Sequence, residues 1–527
     1  MGAQMELQVD ESDRRPDLYI ALVGAAGTDL EPVKTQLKAQ LASFSYAFEQ
    51  VKVSRLIAEF RDIDVNGLEE DARAQALMDG GDSIRAGHGG GDGVVSLIVN
   101  ALQAIREAGQ EPSTGLLGST AFVIDSLKNP AEVDTLNRIY GRNFYTISVY
   151  ATERERESKL ANRIAETCHT NTREEHRARA RQVIKEDERR DTTPLSQDVQ
   201  NTFPKADFFV KSGEGLEVQV SRFVDLIFGE PFITPTFDEY AMFTAKASSL
   251  RSGDLSRQVG AAIFDPRNLI VSTGYNDVPY PGGGAWYEGR AGADNRDHVV
   301  EYDPNSSEIA NIFRELVAAF RKAALLSESA QTQADDQLVE ELLHGEWKSL
   351  TMDARVRNLI EFGRVVHAEM HAIAEAARSG RSVDGGALFC TTFPCHICAR
   401  HIIAAGIKEV VFIEPYPKSL TQQLYEREIS TDERKGSLPD PVVFRPFHGV
   451  APVLYQRVFS FRPRKHKTGS VVRFNREKAV PSGAVYGVSN LLLEQSVSAW
   501  LDALKPQPTD SSTRDNQTEG GEYREQG

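Results

Sequence analysis

Residues 367–406 read HAEMHAIAEAARSGRSVDGGALFCTTFPCHICARHIIAAG, and their pattern decides how this part of the chain folds. Val366, Met370, Ile373 and Ala377 recur at helical spacing, and Gly380 follows as a stop, so a helix is expected through this stretch. GALFCTT (386–392) is a short apolar run of strand length, and Cys390 within it reads as an ordinary buried strand residue. Pro394 sits where a second helix opens, a place proline tolerates, and carries PCHICARHIIAAG with it. Helix, strand and helix in close succession are the alternation of an α/β fold.

The same stretch places chemistry at helix starts. Cys395 and Cys398 fall one turn apart, so both thiols can face one ion, and the helix N-terminus favours the thiolate form that zinc requires. His367 and Glu369 are two residues apart and point in different directions, so only one of them needs to be a ligand. Taking His367, Cys395 and Cys398 as ligands of one catalytic Zn2+ leaves a fourth tetrahedral position for water. Glu369 would stand beside the ion and move protons. Two other readings compete: a thioredoxin-like redox pair, and a structural zinc whose fourth ligand is His371, His396 or His401. His371 more often packs than binds. A zinc protease is excluded because Ala368 stands where H-E-x-x-H needs its glutamate.

Composition narrows the partners. A chain of 527 residues calls for at least two domains, and its four cysteines, two of them in C-x-x-C, suit metal or redox use in a reducing cytoplasm. The formal net charge of -16 opposes non-specific nucleic-acid binding and favours small anionic substrates. No apolar run is long enough to span a bilayer, and no membrane partner is expected.

From Asp17 to Gly229 the strands LYIALVG, TAFVID, NFYTISVYA and ADFFVKSG alternate with helical stretches, which predicts a mainly parallel sheet. REEHRARARQVIKEDERRD (173–191) reads either as a solvated helix pair or as a basic lid over a phosphate, and RAGHGGGDG (85–93) as a flexible loop. IALVGAAGTDLEPVKTQL (20–37) runs strand, glycine turn, helix, the context of a P-loop. Asp29, Leu30 and Glu31 nevertheless occupy the places of its glycine, lysine and hydroxyl. Nucleotide binding through backbone N–H groups at Gly24, Gly27 and Thr28 is expected, with Asp125 at a strand end as an accompanying acid. Phosphoryl transfer is disfavoured.

Past the proline-marked junction FGEPFITPTFDEYAMF, a helix and a hairpin, QVGAAIF and LIVSTGYN around DPRN, precede the opening motif. H-x-E followed by P-C-x-x-C is the signature of zinc nucleobase deaminases. SGDLSRQVGAAIFDPRNLIVSTGYNDVP (252–279) and KEVVFIEP (408–415) extend the match, so that residues from about 237 to 461 resemble the cytidine and deoxycytidylate deaminase family. The resemblance implies an α-β-β-α-β-α-β order and a sugar contact by Asn276. Arg251, Arg257 and Lys246 are candidates for the phosphate. With GAAGTDL and VIDSLKNPAEV in the first half, the whole resembles the two-domain bacterial anti-phage dCTP/dCMP deaminases, whose first domain is P-loop-kinase-like.

The expected layout is a flexible N-terminus at 1–16, a degenerate P-loop-kinase-like regulatory domain at 17–229, and a deaminase-like α/β/α domain at 237–504. A helical insertion at about 305–362 interrupts the latter, and a disordered tail follows at 505–527. The expected activity is zinc-dependent hydrolysis of free dCTP or dCMP to the deoxyuridine nucleotide, in defence by dCTP depletion. A regulatory nucleotide or RNA on the first domain, a cytoplasmic location and homo-oligomeric assembly complete the reading. The rival functions are a tRNA or single-stranded DNA deaminase, which needs a basic groove with stacking aromatics, and a nucleotide-sensing module with structural zinc.

Overall fold

The computed structural model describes residues 15–109, 119–168, 173–188, 194–352, 354–414, 419–431, 435–483 and 489–504. The expected flexible start, apart from its last two residues, and the expected disordered tail lie outside these. Two mixed sheets, each dominated by parallel pairs, organise the chain.

In the first sheet, β1 (Leu18–Val23), β2 (Ala47–Lys52), β3 (Thr120–Asp125), β4 (Phe144–Tyr150) and β5 (Phe208–Lys211) are parallel in the order β5-β4-β1-β3-β2. Leu18, Ile20 and Leu22 pack towards α1 (Glu31–Ala42) and α7 (Leu216–Ile227). Tyr19, Ala21 and Val23 join the opposite core, with α3 (Val95–Gly109) and α4 (Pro130–Tyr140). A strand covered on both faces must be apolar throughout, which is why β1 was legible as one run. β2 has the sequence AFEQVK with only Val51 buried, an edge strand without that signal. RAGHGGGDG is not simply a loop: its first residues finish α2 (Glu70–His88), and Gly89 ends that helix at φ 78°. Residues 153–168 and 173–188 form a helix pair, α5 (Glu153–Cys168) and α6 (Arg173–Glu188).

The second sheet has the order β10-β11-β9-β8-β6-β7. Its strands are β6 (Gly260–Phe264), β7 (Ile270–Tyr275), β8 (Ala387–Cys390), β9 (Glu409–Phe412), β10 (Ile429–Thr431) and β11 (Val442–Pro446). β6 and β7 form the expected antiparallel hairpin, and β8, β9, β11 and β10 run parallel. The hairpin carries a glycine on each face. A side chain at Gly260 would come within 1.9 Å of the Ala245 carbonyl of α8 (Phe237–Ser249). One at Gly274 would come within 2.1 Å of the Ala368 carbonyl of α9 (Ala368–Arg378). Ala368, Ala372 and Ala376 are the buried stripe of α9, against the expected stripe at Met370, Ile373 and Ala377, of which Ala377 is exposed. Small residues win this face because the helix backbone lies almost on the strand. The insertion is helical as expected and has a core of its own, in which Ile309, Phe313 and Val317 of the helix Pro304–Lys322 meet Leu338, Val339 and Leu343.

The C-terminal part returns to the first sheet. β12 (Gly449–Val450) pairs antiparallel with β5 and covers its open edge, a row of unpaired backbone groups that needs covering. α11 (Pro452–Phe459) contributes Leu454 and Val458 to the core shared with α1 and α7, and α12 (Ser489–Leu504) packs Leu501 on the side of α3. β12, α11 and α12 therefore pack with the first unit, a closure across long sequence separation that local pattern does not carry. One buried carboxylate, Glu239, fastens the junction by accepting from Arg222 at 2.6 Å, Thr236 N–H at 2.7 Å and Val450 N–H at 2.9 Å.

Candidate metal centre and active site

α9 and α10 (His396–Ala404) begin side by side, each with a predicted ligand at its N-cap. His367 caps α9 in extended geometry, and Cys395 caps α10 with its Sγ accepting the Cys398 N–H at 3.4 Å. Pro394 thus precedes the cap instead of opening the helix proper. The His367 Nδ1 lies 3.3 Å from each cysteine Sγ. Among the described residues these three side chains form one group whose ligand atoms all fall within 4.8 Å of one another.

The hydrogen bond from the Cys398 thiol, with help from His367, holds the Cys395 thiol down to about 4. Cys398, the donor in that bond and buried as well, is pushed well above the ordinary thiol range. His367 is raised, chiefly by its hydrogen bond to Cys395. A histidine nitrogen and two sulfurs facing one another are a donor set that suits zinc, which accepts tetrahedral N/S coordination. The group holds no fourth protein ligand among the described residues. His371 is occupied elsewhere, its Nδ1 2.9 Å from the Tyr275 carbonyl, and His401 Nδ1 lies 2.8 Å from the Ile397 carbonyl.

Glu369 stands in the first turn of α9, 3% exposed, and burial raises its carboxyl above the usual range. A carboxyl so placed exchanges protons more readily near neutral pH than an exposed one. Cys390 is fully buried in β8, as expected.

The predicted sugar and phosphate residues are not gathered as a set. Asn276 is buried, and its side chain ties down the entry to β6, Oδ1 accepting from Val259 N–H at 2.7 Å and Nδ2 donating to the Arg257 carbonyl at 2.8 Å. Arg257 is exposed, its guanidinium 3.4 Å from Glu414. Lys246 belongs to α8, on the sheet face opposite α9, so the structure does not bring it to the metal group. Arg251 lines a separate cavity of about 320 Å3 with Tyr275, Tyr287, Arg290, His371 and Arg378, and stacks over the Tyr275 ring at 4.4 Å. Sequence reasoning missed Asp277. Its carboxylate accepts from Gly253 N–H at 2.9 Å and its carbonyl from Val366 N–H at 3.0 Å, which fixes the approach to His367. Its place in GYNDVP was the available signal.

In the first unit, Gly24, Gly27 and Thr28 form the turn between β1 and α1, and Asp125 ends the neighbouring strand, level with Leu22. Asp125 is already paired, 2.6 Å from the buried Lys34 of α1. The sequence offered no lysine at the P-loop position, and nothing in it marked Lys34 as buried.

Fold and site together define a mixed α/β protein with a three-donor metal group. Residues 235–414 match the cytidine and deoxycytidylate deaminase zinc-binding region. The deoxycytidylate deaminase of Enterobacteria phage T4 is 29% identical over 164 residues, 31% of this chain and 70% of that protein. The human deoxycytidylate deaminase is 27% identical over 175 residues, 33% of this chain and 63% of that protein. A dCMP deaminase of cyanophage S-TIM5, solved in complex with dCMP and dUMP, aligns with 40% of this chain and 98% of its own at 21% identity and a TM-score of 0.21. No described helix is long and apolar enough to cross a membrane.

Proposed function

We propose that the chain is a zinc-dependent hydrolytic deaminase that converts dCMP or dCTP to the deoxyuridine nucleotide, with His367, Cys395 and Cys398 holding the metal. The observation that carries this reading is the convergence of those three donors at two helix starts, beside a buried carboxylate in the first turn of α9. When bound, zinc supplies a Lewis acid that lowers the pKa of water to near neutrality. Glu369 accepts one proton from the attacking water and passes it to N3, then takes the second proton from the hydroxyl now on C4 and delivers it to the departing 4-amino nitrogen, so that cytosine and water become uracil and ammonia. Its burial excludes the bulk water that would otherwise screen the exchange. Asp277 and Asn276 act on the protein, fixing the loops that lead to His367 and β6.

Around this centre, the β1–α1 turn of the first unit is read as a degenerate P-loop-like nucleotide site with a regulatory role. The biological output is depletion of dCTP during phage infection by a cytoplasmic homo-oligomer. Similarity to deoxycytidylate deaminases supports the monophosphate as substrate, and the net charge of -16 weighs against a polynucleotide. Incubating the zinc-loaded protein separately with dCMP, dCTP, CTP and deoxycytidine, and resolving uracil products by chromatography, tests the activity. Conversion of dCMP or dCTP supports it, and no conversion of any of the four overturns it.

A further inference from the structure

The α5–α6 pair lies directly on the β1–α1 turn. Gly27 has φ 84°, and a side chain there would meet the Arg156 carbonyl of α5 at 2.4 Å, so only glycine lets the helix backbone sit so close. Ala26 packs against the apolar seam of α2, α5 and α6 that contains Met78, Leu160, Ile164, Val183 and Ile184. From the end of α6, Asp187 reaches into the turn with 2% of its surface exposed. Its Oδ2 accepts the Ala26 N–H at 2.6 Å, and its Oδ1 accepts from Lys128 Nζ at 2.8 Å and from the Gln197 amide. Lys128 donates at the same time to the Gly24 carbonyl at 2.9 Å. In the same turn the Thr28 hydroxyl is buried without a hydrogen-bond partner among the described residues.

A backbone N–H of a glycine turn before a helix, joined by a lysine ammonium, is a donor set that takes phosphate oxygens. Here a carboxylate of the chain itself holds both donors. Carboxylate and phosphate compete for them on the same terms, and a polyphosphate brings more charge and more acceptor oxygens than one aspartate.

We propose that Asp187 is an internal stand-in for a phosphate: the α5–α6 pair keeps the first unit self-blocked, and a nucleoside polyphosphate binds by displacing Asp187 from Ala26 and Lys128. The proposal rests on reading the β1–α1 turn as a nucleotide site and adds the regulation of that site.

Calorimetric titration of the full-length protein with ATP and with inorganic tripolyphosphate, for wild type and Asp187→Asn, tests it alongside hydrogen exchange of 153–168 and 173–188. The variant is expected to bind at least tenfold more tightly, and saturating ATP is expected to speed exchange across both helices of the wild type. ATP binding of equal strength in both proteins, with unchanged or slower exchange in the pair, overturns the self-block and leaves the nucleotide site standing. Absence of binding by either protein to either probe overturns the site and the self-block together. Should Asp187→Asn fail to fold, the exchange response of the wild type decides.

Discussion

Gly274→Ala adds a single methyl between β7 and α9. It would sit 2.1 Å from the Ala368 carbonyl oxygen and 2.5 Å from the Ala372 nitrogen, where real contacts of this kind stay beyond 3.0 Å. Both neighbours are backbone, so no side chain can swing aside, and α9 must retreat by about 1 Å or β7 must buckle. Overpacking of this kind costs ~1–3 kcal/mol. The retreat also carries His367, the N-cap of α9, away from Cys395 and Cys398, which ride on α10. A misplacement of about 1 Å at a reacting centre costs roughly a hundredfold in rate. Gly274→Ala is therefore expected to unfold at lower temperature, to bind zinc more weakly and to turn over dCMP about a hundredfold more slowly. Ala374→Ser, on the exposed side of the same helix, should change none of these. The assays are thermal unfolding by circular dichroism, zinc content by atomic absorption and product chromatography. A Gly274→Ala protein with wild-type melting, metal content and rate would refute the argument that the metal group depends on helix-to-strand contact at this glycine.

Glu369→Gln keeps the volume of the side chain and removes its proton exchange, so zinc content should hold while turnover falls by ~10²–10⁴-fold, equivalent to about 3–5 kcal/mol in the barrier. Turnover within a factor of three of wild type would assign the proton transfers to another group. Dialysis against a strong chelator should abolish deamination and lower the melting temperature, and added zinc should restore both; activity that survives complete metal removal contradicts the proposed centre. Burial lifts the Asp207 carboxyl to about 6 from 3.8, even though it accepts the Thr146 N–H at 2.9 Å. The folded chain thus keeps a proton that the unfolded chain loses first, so this contribution is full below about pH 4 and is lost as pH rises to 6, roughly 3 kcal/mol at most. Urea unfolding at pH 4.5 and 7 should show Asp207→Asn gaining on wild type at the higher pH, and a difference that does not move with pH would count against a buried, raised carboxyl.

The sequence determined what local chemistry can announce. H-x-E, P-C-x-x-C and the flanking apolar runs put His367 and Glu369 on one helix and Cys395 and Cys398 in the first turn of another, because caps, prolines and strand-length apolar runs act over a few residues. Both-face burial wrote β1, β3 and β4 as continuous apolar stretches, whereas the polar edge strand β2 left no such mark. The tertiary structure alone decided which distant groups meet. It put alanines, not the larger apolar residues, on the buried face of α9, since Gly274 brings the backbones together. It separated Lys246 from the metal group by a sheet, folded β12, α11 and α12 back onto the first unit, and set Asp187 into the turn at Ala26. Those outcomes depend on contacts between residues tens to hundreds of positions apart, which spacing along the chain cannot encode and only the packed core selects.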